Sequence, residues 1–340
     1  MQRARARRKV ADFIASIGSG ACPASLKYAL PPNSGFRSRN DLASRCDTTG
    51  VPLFAPVILP ALTAPPLTAS PLTASRGSSA LPASARVRHE YDLLDSRIQI
   101  RIEPGAASMT GTVTHTLRTT RKNAFLLFDA GRLNIRSVRV GGRPTPYRSN
   151  RDVLAIATNL PLGRIETVEI NYQAKPQAGM YFVPVGRSGP ATTPSVYTQG
   201  EMEDTRYWLP TYDFPDDKAT VEATYDVPAG WSALGNGKLL GVNRGPLRWT
   251  WHWKMDQPIS TYLTTMLAGP YTEVSDGTFQ GKPVSIWVPT GLESWARPTF
   301  GGTDKLIAIF SKLTGTNYPF ARYTQAVVPD FLFGGMENAS

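Results

Sequence analysis

Ile98-Gln99-Ile100-Arg101-Ile102-Glu103 alternates apolar and polar residues without a break. Successive side chains of a strand point to opposite faces, so a period of two buries the three isoleucines together and leaves the polar residues in water. Working outward, the same pattern recurs at Thr112-Val113-Thr114-His115-Thr116-Leu117, from Asn134 to Val140 before a Gly141-Gly142 turn, from Val153 to Ile156, and from Val168 to Tyr172. Val221-Glu222-Ala223-Thr224-Tyr225-Asp226-Val227 is another clear case, and Trp249, Trp251 and Trp253 share one face of a strand whose other face carries Thr250, His252 and Lys254. Many short strands separated by turn signals predict a mainly β fold, a sandwich or an open, curved, saddle-like all-β domain spanning 86–275.

The period changes near the end of the chain. Thr303-Asp304 offers a helix N-cap, Leu306, Ile309, Phe310 and Leu313 fall at helical spacing, and Gly315 follows as a stop. An apolar, strand-like segment from Ala326 to Phe333 comes next and runs into Gly334-Gly335-Met336-Glu337-Asn338. Strand, helix and strand read as the opening of a second, α+β domain, left incomplete over 276–340.

Residues 1–85 are of another kind. They begin with Arg3-Ala4-Arg5-Ala6-Arg7-Arg8-Lys9 and pass through Pro/Ala/Ser/Thr-rich sequence in which Leu-Thr-Ala recurs at 62–64, 67–69 and 72–74. Such composition buries too little apolar surface to offset the entropy of ordering, and the expectation is a disordered basic tail or a misplaced leader. The apolar run from Val51 to Leu62 reads equally as the core of an export signal, with residues 51–75 as part of a leader to the periplasm or exterior, or as a plain linker. The formal net charge of +11 is concentrated in the tail: residues 1–88 hold twelve Lys/Arg against three Asp/Glu, and the remainder holds twenty-five against twenty-three. With little aromatic interleaving there, nucleic acid is rejected as the main partner. Cys22 and Cys46 also lie in the tail, which excludes a disulfide scaffold or a Cys-ligated zinc site in the body. No run is apolar for long enough to form a transmembrane anchor, and the sequence says nothing of oligomeric state.

The usual catalytic arrangements are missing from the 340 residues. The histidines are His89, His115 and His252, and no His-Glu-x-x-His pair, Gly-x-Ser-x-Gly elbow or phosphate-binding glycine loop occurs. His115 and His252 sit in strand patterns and read as solvated or cross-strand residues. Two stretches still stand out: Thr198-Gln199-Gly200-Glu201, continuing through Arg206-Tyr207-Trp208-Leu209-Pro210 to Asp213-Phe214-Pro215-Asp216-Asp217-Lys218-Ala219-Thr220, and Gly334-Gly335-Met336-Glu337-Asn338. A Gly-Gly step lets another backbone approach without a Cβ in the way, an unpaired strand edge offers N–H and C=O groups to an extended peptide, and a glutamate there can hold a cationic N-terminus. Spacing alone also allows a Gly-Gly turn followed by Glu and Asn at a helix start.

Together these stretches resemble the aminopeptidase N family of zinc metallopeptidases, the gluzincin aminopeptidases. The resemblance extends from about Arg86 onward and includes Gly235-Asn236-Gly237, Trp251-His252-Trp253, Ser260-Thr261-Tyr262 and Tyr318-Pro319-Phe320. Gly-x-Met-Glu-Asn is the family's exopeptidase signature. The resemblance implies an aminopeptidase N-type N-terminal β domain over 86–275 and the beginning of a thermolysin-like catalytic domain over 276–340. It implies that Glu337 binds the free α-amine of a peptide, that Glu201 meets the same amine with Gln199 nearby, and that Gly334, Gly335 and Met336 form the edge along which the substrate backbone lies. Glu201 favours a plain aminopeptidase over a bifunctional hydrolase of lipid epoxides, and Arg206, Asp213, Pro215 and Lys218 are expected to fix the loop that presents it. Zinc is the cofactor the resemblance implies, yet its His-Glu-x-x-His ligands and catalytic groups are not among these residues. The expectation is a chain that carries the site for a substrate's N-terminus but is inactive and zinc-free alone, with weaker hydrogen-exchange protection from 276 onward. The competing reading is a non-catalytic β-sandwich binding or scaffold protein related to the family.

Overall fold

A computed structural model of the protein describes residues 84–85, 89–185, 193–329, 331 and 333–340. The tail, its cysteines and the candidate leader therefore lie outside the described residues. The chain opens with β1 (Tyr91–Glu103) and β2 (Ser108–Thr119), an antiparallel pair. β3 (Asn123–Asp129) leaves for another sheet, and β4 (Asn134–Val140) and β5 (Arg143–Pro144) follow as a hairpin. Gly141 and Gly142 both take positive φ there, which is what that turn requires of them. Next come β6 (Tyr147–Ser149), β7 (Val153–Leu160), β8 (Ile165–Ala174), β9 (Met180–Val183) and β10 (Ser195–Thr198). The second half adds β11 (Lys218–Pro228), β12 (Ser232–Gly235), β13 (Lys238–Arg244), β14 (Arg248–Ser260), β15 (Met266–Gly269), β16 (Tyr271–Phe279) and β17 (Lys282–Pro289). Two helices, α1 (Glu293–Phe300) and α2 (Thr303–Thr314), precede the short β18 (Tyr323–Ala326).

Eight strands form the main sheet in the order β13-β14-β11-β1-β2-β8-β4-β5, with β1 and β11 parallel and the other pairs antiparallel. Ile98, Ile100 and Ile102 are buried while Gln99 and Arg101 stay exposed, as the alternation predicts. Trp251 and Trp253 point the same way, and their indole N–H groups donate to the carbonyls of Trp231 and Ala233. The inner face shares one core with β3 and β7 of the three-stranded sheet β3-β7-β6, through Leu126, Phe128, Leu154 and Ile156. The same core takes in Val196, Leu234 and Met266 from the four-stranded sheet β12-β15-β10-β9. Each such side chain taken out of water contributes about 1.5–3 kcal/mol. The fold is mainly β, as expected.

A small sheet, β16-β17-β18, carries the two helices, and Ile286, Val288 and Ala296 form its own apolar cluster. Three expectations change here. The last strand covers Tyr323–Ala326, parallel to β17, and beyond it only Val327 still bonds to Trp287; Asp330 and Leu332 lie outside the described residues. Pro329 has no N–H to give a ladder, and Gly334 takes φ +74, so Gly334 to Asn338 is irregular rather than an edge strand. The first helix is α1, whose Pro298 obscures its period in the sequence. The cap of α2 is Gly302, at φ +88, rather than Thr303-Asp304. A glycine has no side chain with which to cap, and the Asp276 carboxylate of β16 takes over, accepting from the N–H groups of Gly302 (3.0 Å) and Thr303 (2.9 Å). Gly315, at φ +70, ends α2 as expected.

Candidate functional site

β10 is buried along its whole length, and Thr198 at its end accepts a hydrogen bond from the Met266 N–H at 2.9 Å. The chain then turns at Gly200. A Cβ there would stand 2.5 Å from the Tyr262 carbonyl and 2.6 Å from Thr205 Oγ1, so only glycine lets the Gln199-Gly200-Glu201 backbone lie against Tyr262. Gln199 is buried, and Glu201 is exposed two residues later.

The loop that follows is fixed by Arg206. Its guanidinium reaches Glu203 at 2.6 Å, Asp213 at 3.2 Å and Asp129 at 3.4 Å, and it also donates to the carbonyls of Glu203 and Asp213. Burial pushes the Asp213 carboxyl up to about 7, with bonds from the Arg206 N–H and guanidinium pulling it down. Trp208 is fully enclosed beneath. Pro215 offers its carbonyl to Ser260 Oγ at 3.1 Å, whereas Lys218 only opens β11, exposed.

Gly334 to Ser340 approaches from the other side. Asn338 donates to Thr265 Oγ1 at 3.1 Å, Ala339 is buried, and its carbonyl accepts from Asn236 Nδ2 at 2.8 Å. Glu337 is exposed and receives the Tyr262 hydroxyl on Oε1 at 3.3 Å. Met336 Sδ lies 3.9 Å from Gln199 Nε2, while Gln199 Oε1 is buried with no partner among the described residues. Gly334 and Gly335 have open space where a Cβ would stand. All of Gly334 to Ser340 borders a cleft of about 740 Å³ that also reaches Tyr197, Thr198 and Phe331.

Tyr262 thus meets the Glu337 carboxylate directly and lies within the electrostatic influence of Glu201. Desolvation, then Glu337, then Glu201 raise the pKa of its hydroxyl. Gln199 and Met336 meet directly, Glu337 reaches Tyr262 by a hydrogen bond, and Glu201 reaches it through the field of its charge. Reading the sequence assigned no role in this site to Tyr262 or Asn236. Both stood in stretches that carry the resemblance, Gly235-Asn236-Gly237 and Ser260-Thr261-Tyr262, with no role assigned to either.

His115 and His252 are not ligands of anything described. His115 is fully buried rather than solvated, between Ser96 and the Pro210 carbonyl, while His252 pairs across strands with Glu222 at 2.8 Å. Among the described residues no three His, Cys, Asp or Glu side chains gather where they could hold a metal ion. No helix among the described residues is long and apolar enough to cross a membrane.

Comparison with known proteins places this geometry in context. The family model described as the Peptidase M1 N-terminal domain matches residues 87–263. Aminopeptidase M1-C of Oryza sativa subsp. japonica is 28% identical over 275 residues, covering 77% of this chain and 30% of the rice protein. Aminopeptidase B of Mus musculus is 26% identical over 286 residues, covering 75% of this chain and 43% of the mouse protein. The chain thus spans about a third of the length of the curated relatives it matches. A mutant M1 zinc metallopeptidase of Deinococcus radiodurans, solved with a Tyr-Ser-Ala substrate, superposes with a TM-score of 0.62 at 19% identity. The superposition covers 71% of this chain and 57% of that one. At that identity the likeness is one of fold.

Proposed function

Because the chain belongs to the M1 peptidase family and carries its N-terminal domain, we propose that it receives the free N-terminus of a peptide for a zinc metallo-aminopeptidase. In this reading residues 86–275 are the N-terminal β domain and residues 276–340 begin the catalytic domain. Zinc is the metal of the family and activates water in such enzymes; its ligands belong to neither of the two acidic stretches. The observation that carries the reading is the convergence on Tyr262: Glu337 takes its hydroxyl at 3.3 Å, and Gly200, the residue before Glu201, lies against its backbone.

In this reading the Glu201 and Glu337 carboxylates share a ligand with one positive charge and several N–H donors. At about 4 Å and an effective dielectric near 20, each carboxylate–ammonium contact has a Coulomb energy of roughly 4 kcal/mol, reduced where water screens it. The buried Gln199 Oε1, without a donor among the described residues, supplies a third acceptor. An internal peptide bond or an acetylated N-terminus brings no cation and leaves the carboxylates opposed. Selection for a chain end is then electrostatic.

The test is calorimetric titration of the full chain with L-leucine amide and with N-acetyl-L-leucine amide. The free amine binds, the acetylated compound does not, and Glu337→Gln or Glu201→Gln each weaken binding at least about tenfold, as expected for loss of a hydrogen bond to a charged group. Equal binding of both compounds, or indifference to both substitutions, defeats the reading.

A further inference from the structure

Glu337 stands on a segment with no strand pairing of its own, so other contacts must fix its carboxylate. Asn236, 2% exposed, fastens the backbone. Its Nδ2 donates to the carbonyls of Ala339 at 2.8 Å and Leu263 at 2.9 Å, and its Oδ1 accepts from the Thr265 N–H at 2.7 Å. The flanking glycines permit this close fit: a Cβ on Gly235 would come within 2.9 Å of the Tyr225 and Trp253 rings, and one on Gly237 within 2.1 Å of the Lys254 carbonyl. That clasp joins the segment bearing Glu337 to the segment bearing Tyr262, whose hydroxyl then reaches the carboxylate itself.

We infer that Tyr262 is a positioning residue of the amine site: its hydroxyl fixes Glu337 through Oε1 while its backbone seats Gly200 and so directs Glu201. This rests on the amine-binding reading above. One residue thereby acts on both carboxylates, by its hydroxyl on Glu337 and by its backbone on the Glu201 segment, with Glu337 Oε2 left to a ligand. A phenol donates only while neutral, and the two charged groups acting on this one, Glu337 and Glu201, both favour that state. Phenylalanine at 262 keeps the ring and the Gly200 contact and removes only the hydroxyl.

The experiment titrates the full chain with L-leucine amide at neutral pH, as wild type, Tyr262→Phe and Glu337→Gln. Tyr262→Phe binds about tenfold more weakly, the order set by one hydrogen bond to a charged group. Wild-type affinity in Tyr262→Phe, with Glu337→Gln impaired, overturns the role of Tyr262 and leaves the amine site standing. A wild type that binds the amide no better than its acetylated form takes both down. A second readout does not depend on the folding of Tyr262→Phe. In ring-¹³C-tyrosine protein, the Tyr262 signal moves on Glu337→Gln and on adding L-leucine amide, and a signal indifferent to both overturns the inference.

Discussion

His115 is enclosed completely, with Nδ1 2.9 Å from Ser96 Oγ, Nε2 2.8 Å from the Pro210 carbonyl and its ring stacked on Phe128. Burial pushes its pKa down from 6.5 to about 4, against the pull of that carbonyl. Between those pH values the unfolded chain binds a proton that the folded one refuses, so stability rises with pH across the window. The stabilisation is complete above about pH 6.5 and falls by about 3 kcal/mol as the pH drops toward 4. In His115→Gln that slope disappears; urea unfolding of both proteins at several pH values checks it, and a constant difference between them refutes it. The alternation puts His115 in phase with Val113 and Leu117 on the covered face, but its partners Ser96 and the Pro210 carbonyl come from elsewhere in the chain and could not be read. The stretches around Glu201 and Glu337 stood out in the sequence because their neighbours form motifs. Tyr262 did not, since its contacts arise only where residues 200, 262 and 337 meet.

Among elements, strands read well because alternation is a local consequence of one covered face, and β1, β2, β8, β11 and β14 follow it closely. Ends and caps read poorly because their partners are distant. The start of α2 depends on a carboxylate 26 residues earlier, Asp276 to Gly302. Asp276→Ala removes acceptors from two N–H groups and is expected to cost about 1–2 kcal/mol. The Gly302 and Thr303 amides then exchange hydrogen faster while the β1 amides do not; unaltered exchange at Thr303 counts against this. α2 also shows that helical spacing locates a helix without telling what covers it: Leu306, Ile309, Phe310 and Leu313 are all exposed, and Ile307 is the apolar residue it buries.

At the scale of the molecule, Arg322 joins the small sheet to the main one. Only 8% exposed, it reaches Glu273 on β16 (2.6 Å), Ser285 on β17 (2.9 Å) and Thr324 on β18 (2.8 Å), and its guanidinium lies over the Trp253 ring of β14 at 5.2 Å. Arg322→Ala leaves the buried Ser285 hydroxyl without this donor and opens a gap beside Trp253, a loss of about 1–3 kcal/mol. Calorimetry is expected to resolve two transitions in the variant where the wild type shows one; a single transition at the original temperature rejects the coupling. The parallel pairing of β1 with β11 bears on how the protein is made. Thr220 meets Asp95 across 125 residues, and ribosomes add roughly 5–20 residues each second. On the order of ten seconds therefore separates synthesis of the two strands, during which the nascent β1 has one flank unsatisfied and open to foreign chains. Slowing translation between them lengthens that hazard, so the yield of folded protein should depend on elongation speed and on the holding chaperones present.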